Sequence, residues 1–212
     1  ENRKKWTSDE HWVSAPTLFT FPGRAGKYSD FIWDHRCFTG LKLNDEIKLI
    51  RHEYTDKGWD DVPAQDRGSF DYLMGCDIEF RNPYVREELK KWALWYREKT
   101  GFDGWRLDGL KHISYDFFPE WLNATGKIFP RQPLVIGEYW NGDLEPLSSY
   151  LEKTGYCMQL FDVPLHFRFF EGASNLHDFD LRTIRDGTLM HTKPEYSITF
   201  VDNHDTQPGQ SL

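Results

Sequence analysis

Three carboxylates stand at the carboxyl ends of expected strands, at spacings that suit joint chemistry. Asp108 ends Trp105-Arg106-Leu107-Asp108, Glu138 ends the run from Leu134, and Asp205 ends the run from Phe200. Asp108 and Glu138 are separated by about one strand–helix–strand unit (~30 residues), and Asp205 follows after about two more. In a β/α barrel, groups at the carboxyl ends of strands collect on one face. Carboxylates repel, so gathering them needs a chemical reason, and glycoside hydrolysis supplies one. A retaining glycosidase sets a carboxylate nucleophile about 5–5.5 Å from a carboxylic acid. The acid must keep its proton near neutral pH, which burial and negative neighbours favour. Arg106 stands two positions before Asp108, hence on the same strand face, where a guanidinium keeps a nucleophile ionised. Taken singly, each acid fits a turn or helix cap as well, and His204 alone fits an ordinary half-buried histidine.

These groups need elements to carry them. Residues 1–80 are punctuated by Pro22-Gly23, Gly26, Gly40, Gly58, Pro63, Gly68 and Gly75. Such residues favour turns over helices, and a small β-rich lobe with long loops is predicted there. The pattern changes at Asn82-Pro83, a good N-cap followed by a residue suited to the first helical position. Val85, Leu89, Trp92, Ala93 and Tyr96 recur at helical spacing and Gly101 follows, which predicts a helix over 83–100. Beyond it, strands are predicted at Gly104–Leu110, Leu134–Gly137, Met158–Val163 and Tyr196–Asp202. Helices are predicted between them at Asp116–Gly126, Leu144–Thr154, 164–172 and 179–187. This alternation implies parallel βαβ units, so residues 81–212 are expected to form a second, α/β part of the chain.

Composition removes several classes of function. A chain of 212 residues with 39% hydrophobic content can build a substantial core. Its nine Trp and 17% aromatic content suit that core and also a groove lined by flat side chains. The net charge of −8 and the absence of a basic stripe argue against a nucleic-acid surface. No apolar run is long enough for a membrane span. Neither a dinucleotide fingerprint nor a P-loop follows any strand. Cys37, Cys76 and Cys157 are odd in number and far apart, which makes neither a disulfide framework nor a zinc site. Free thiols suit a reducing compartment.

Around the three acids the sequence resembles a known family. Gly104–Ile113, GWRLDGLKHI, resembles the fourth-strand motif of the α-amylase family of glycoside hydrolases, with Trp105 for a Phe and Gly109 for an Ala. Gly137-Glu138-Tyr139-Trp140 resembles its fifth-strand motif, and Phe200–Asp205, FVDNHD, its seventh-strand motif. Asp71–Glu79 resembles the segment closing the family's domain B. Phe19–Ser29 resembles domain B of the bacterial and fungal branch that holds liquefying and cytoplasmic members. The resemblance implies a partial (β/α)8 TIM barrel, from about its third helix to its seventh strand, within a larger enzyme. Residues 1–80 would be an incomplete domain B and 81–212 part of the catalytic barrel.

The resemblance also implies roles. Asp108 would be the nucleophile, Glu138 the general acid and base, and Asp205 the group that holds the reacting sugar's hydroxyls. Arg106, Lys111, His112, Trp140 and His204 would contact substrate or orient the acids. A structural Ca2+ would take Asp71, Asp77 and the carbonyl of His112, a set of oxygen ligands that suits calcium. Some members hold further metals in domain B. Asp60 matches one of those positions, but Thr39 and Arg81 stand where acids are usual and Glu79 replaces an Asp, so extra metals are not expected. The implied activity is retaining endo-hydrolysis of α-1,4 bonds in starch, glycogen or maltooligosaccharides. A transglycosidase, an exo-acting relative and a non-catalytic relative are the alternatives. The implied protein is a monomer when full length, cytoplasmic or alternatively secreted, that binds an α-glucan and neither nucleic acid nor membrane.

Overall fold

The computed structural model describes residues 14–15, 17–64, 75–175, 177–206 and 209. The chain divides into two compact units, residues up to 101 with 112–117, and 102–111 with 118 onward.

In the first unit, β1 (Phe38–Leu43) lies between β2 (Glu46–Leu49) and β3 (Cys76–Ile78), antiparallel to both. Cys37, Phe38 and Val85 form its buried centre, with Phe19, Phe31, Trp33, Ile50 and Leu89 packed around them. Val85 brings in α1 (Pro83–Thr100), which starts and stops where the sequence reading placed it. The Asn82 side chain accepts from Tyr84 N at 2.9 Å, and Gly101 ends the helix at φ 72°. Val85 and Ala93 are buried, whereas Trp92 and Tyr96 stack on each other, centroids 5.3 Å apart, on an exposed side of α1. The three cysteines are free.

The second unit carries a parallel sheet in the order β4 (Gly104–Leu107), β5 (Leu134–Gly137), β6 (Gln159–Phe161), β7 (Ser197–Ile198). Between the strands run α2 (Phe117–Thr125), α3 (Leu144–Lys153) and α4 (Val163–Ser174), followed by the short α5 (Leu189–Thr192). Consecutive parallel neighbours joined by helices are the repeating unit of a (β/α)8 barrel, and four of its strands are present here. Trp105 packs against Trp121 of α2, centroids 4.9 Å apart, and Leu107 is also buried. Alternation along β4 therefore turns Arg106 to the opposite face.

Several boundaries differ from the sequence reading. β4 ends at Leu107 rather than Leu110, because the chain turns at Gly109 (φ 60°) into a 3-10 turn over Leu110–His112. β6 ends at Phe161, because Asp162 caps α4, accepting from Leu165 N at 3.2 Å, and Pro164 stands in the first turn. The helix predicted over 179–187 is a single 3-10 turn, Leu181–Thr183, capped by Asp180. Gly187 (φ 71°) ends that stretch, and the helix proper begins after the Thr188 cap. The strand predicted over Tyr196–Asp202 pairs only at Ser197–Ile198.

Candidate active site

The acids sit where β4 and β5 end. Glu138 N donates to Leu107 O at 2.8 Å, and Leu110 N donates to Glu138 O at 3.2 Å. These two bonds pin the Glu138 backbone to the exit of β4. The preceding Gly137 allows the close approach, since a Cβ there would strike Leu110, Met158 and Leu160.

One guanidinium holds both carboxylates. Arg106 Nη1 lies 3.1 Å from Asp108 Oδ1, and Nη2 lies 3.3 Å from Glu138 Oε2. Glu138 is buried, and Asp108 is open to solvent. Burial first, then a hydrogen bond and repulsion from Asp108, push the Glu138 carboxyl up to about 7. The Asp205 charge adds to the rise and Arg106 opposes it. A proton is thus retained on the acid that is buried, as a general acid requires.

Asp205 arrives on an irregular segment. The Asn203 side chain accepts from Asp205 N at 2.9 Å and from Thr206 N at 3.0 Å, which fixes a tight turn. His204 Nε2 lies 3.1 Å from Asp205 Oδ2. Trp140 is set among the rings of His166, Phe167 and Phe200, with centroids 6.1–6.3 Å away. Lys111 and His112 are half-buried in the 3-10 turn after β4, Lys111 in the second unit and His112 in the first.

The candidate calcium ligands are less complete. Asp71 lies outside the described residues. Among the described residues no group of three or more His, Cys, Asp or Glu side chains is arranged to hold a metal ion. Asp77 stands among acidic neighbours. Burial, Glu79 and Asp60 drive its carboxyl up to about 8, against the pull of Arg81. A buried carboxyl with acidic neighbours lacks positive charge, which a cation supplies. Next to it, Arg81 serves as an internal cation. It grips Glu79 through Nε and Nη2, each at 2.7 Å, donates to Gly58 O at 3.0 Å, and lies 3.9 Å from Asp60.

Two residues that the sequence reading passed over complete the picture. Asp162, fully buried at the end of β6, accepts from Leu165 N, Leu189 N, Met190 N and Ser197 Oγ, at 2.7–3.2 Å. His166, also fully buried, bonds Val201 O through Nδ1 at 2.5 Å. The Asp-x-Pro start of α4 was the available signal for the first; for the second there was only its place one turn further along.

The chain is 42% identical to a cytoplasmic alpha-amylase of Escherichia coli over 201 residues, 92% of this chain and 41% of that protein. It is 40% identical to an alpha-amylase of Bacillus licheniformis over 212 residues, all of this chain and 41% of that one. The chain thus spans about two-fifths of the length of these relatives. An Anoxybacillus alpha-amylase structure superposes on 75% of this chain and 38% of its own at TM-score 0.57 and 22% identity. One from Geobacillus thermoleovorans, complexed with acarbose, covers 79% and 39% at TM-score 0.56 and 21% identity. Both show the same fold. No protein-family model matches the chain.

Proposed function

Starting from a chain that resembles the α-amylase family throughout its length, we propose that the intact protein is a retaining endo-α-1,4-glucan hydrolase. The observation that carries this reading is the single Arg106 guanidinium within 3.1 Å of Asp108 and 3.3 Å of Glu138, which keeps the two carboxyls near each other. Inverting enzymes instead hold their carboxyls far enough apart to admit a water.

In the first step Glu138 gives its proton to the glycosidic oxygen while Asp108 attacks the anomeric carbon. The C–O bond breaks, the shortened glucan leaves as an alcohol, and a glycosyl ester forms on Asp108. Glu138, now ionised, takes a proton from water as that water attacks the same carbon and releases Asp108. Two displacements leave the configuration unchanged. Arg106 keeps Asp108 anionic and holds it beside Glu138. Asp205, steadied by His204, binds the sugar's vicinal hydroxyls, and Lys111, His112 and Trp140 contact neighbouring glucose units. With soluble starch and the intact protein, viscosity is expected to fall well before reducing ends accumulate, and Asp108→Asn to abolish both. Parallel progress of the two signals would point to an exo-acting enzyme.

In this reading Asp77, Asp71 and the carbonyl of His112 hold a structural calcium, which would neutralise the acids around Asp77. A chelator is expected to lower the unfolding temperature of the parent protein and to leave that of Asp77→Asn unchanged. Equal sensitivity in both would remove Asp77 from the site. Residues 1–80 are read as part of a domain B and 81–212 as part of the barrel. Similarity to a cytoplasmic relative and three free thiols support a cytoplasmic location. No helix among the described residues is long and apolar enough to cross a membrane.

A further inference from the structure

The segment that carries Asp205 has little regular structure of its own. β7 pairs only through Ser197–Ile198, and the following residues up to Asp205 lie outside the ladder. Their position depends on what grips them from the side. Asp162 N donates to Ile198 O at 2.9 Å, and the Asp162 carboxylate accepts from Ser197 Oγ at 3.0 Å. One helical turn later, His166 bonds Val201 O through Nδ1. A carbonyl can only accept, so Nδ1 carries the proton. The His166 ring lies nearly parallel to Phe200, at 8° with centroids 5.1 Å apart, and contacts Trp140 on the other acid's loop. Phe200 also touches Trp140 and Phe161. His166 Nε2 is buried and makes no hydrogen bond. The polar contact His166 makes from its ring is therefore the one to the Asp205 segment.

We infer that His166 is a positioning residue for Asp205: its Nδ1–H fixes the Val201 carbonyl, its ring fixes Phe200, and together they set the reach of Asp205 toward Asp108 and Glu138. The inference rests on the proposed reading of the site and adds a residue to it. A group that stays about 1 Å from its productive place costs on the order of a hundredfold in rate. The effect should fall mainly on kcat, because the interaction improved by correct placement is the one made to the transition state.

The test compares His166→Asn with His166→Gln in the intact protein acting on a maltooligosaccharide. The amide nitrogen of Asn takes the place of Nδ1, whereas that of Gln takes the place of Nε2. His166→Gln is expected to lose on the order of a hundredfold in kcat with KM little changed, and His166→Asn to recover at least about tenfold of that loss. Joined to Asp205→Asn, His166→Gln should cost less than about threefold more, because both changes remove one function. Losses that multiply in the double variant, or equal losses in Asn and Gln, would overturn the inference while leaving the role of Asp205 intact. Parental activity in Asp205→Asn would overturn the underlying reading of the site, and this inference with it. Circular dichroism of each variant separates both results from misfolding.

Discussion

Glu138→Gln in the intact protein is expected to lower kcat on starch by about 10²–10⁴-fold, the usual contribution of a positioned general acid, and to make the protein more stable at alkaline pH. The two effects share one cause. Burial and Asp108 hold the Glu138 carboxyl near 7, well above its ordinary 4.5. Between those values the folded state binds a proton that the unfolded state releases, so stability falls as pH rises from about 4.5 to about 7. Gln stays neutral throughout and escapes that loss. Activity of the parent should follow the same group in the same direction. The acid works only while protonated, so kcat/KM is expected to decline as pH rises through about 7. Scanning calorimetry at two pH values and a pH–rate profile check both halves. Lost activity together with lost stability at high pH would indicate a structural residue.

The second large effect concerns folding. Arg81→Ala is expected to destabilise by about 3–5 kcal/mol, since it leaves a buried charge without its partner. Glu79 is fully buried, and its carboxylate accepts from Arg81 Nε, Nη2 and backbone N and from Thr39 Oγ1. Its backbone joins β3 to the cap of α1, through Glu79 N to Cys37 O at 2.9 Å and Asn82 N to Glu79 O at 3.2 Å. Removing both charges together should cost far less than removing one. Glu79→Leu combined with Arg81→Met is therefore expected to regain most of the loss in urea unfolding. A double variant as unstable as Arg81→Ala would show that packing, rather than the stranded charge, sets the cost.

The legible parts of this chain were those with local causes. α1 has an Asn cap, a Pro in its first turn, a regular apolar stripe and a closing Gly, and its limits were readable to the residue. β5 is a continuous apolar run between polar flanks, and it too emerged as read. Arg106 on β4 and Asp108 just past its end are two positions apart, so their meeting was readable from spacing. The strand ends were not. β4 stops at Leu107 where Gly109 turns the chain, and the Leu107 carbonyl and Leu110 N–H are then bonded by Glu138, a contact made far along the chain. β7 is short in the same way: beyond Ile198 the chain bonds α4, through His166 and the Val201 carbonyl, rather than a strand. Asp162 and His166 are not legible in the sequence because their partners lie in α5 and the Asp205 segment, distant along the chain. Arg81 was noticed as a departure from the acids usual at its position, but only the fold shows it placed among Glu79 and Asp60 as their counter-charge.

With Asp108 as nucleophile and Glu138 as acid and base, a trapped intermediate tests both roles together. An α-maltosyl fluoride carries a leaving group that needs little acid help, so Glu138→Gln should still transfer its sugar to Asp108. The same variant lacks the base that activates water, so the glycosyl ester should accumulate. Intact mass after rapid acid quench is expected to show one added maltosyl group, and peptide mapping to place it on Asp108. Fluoride release without an adduct, or an adduct on a different residue, would contradict the account.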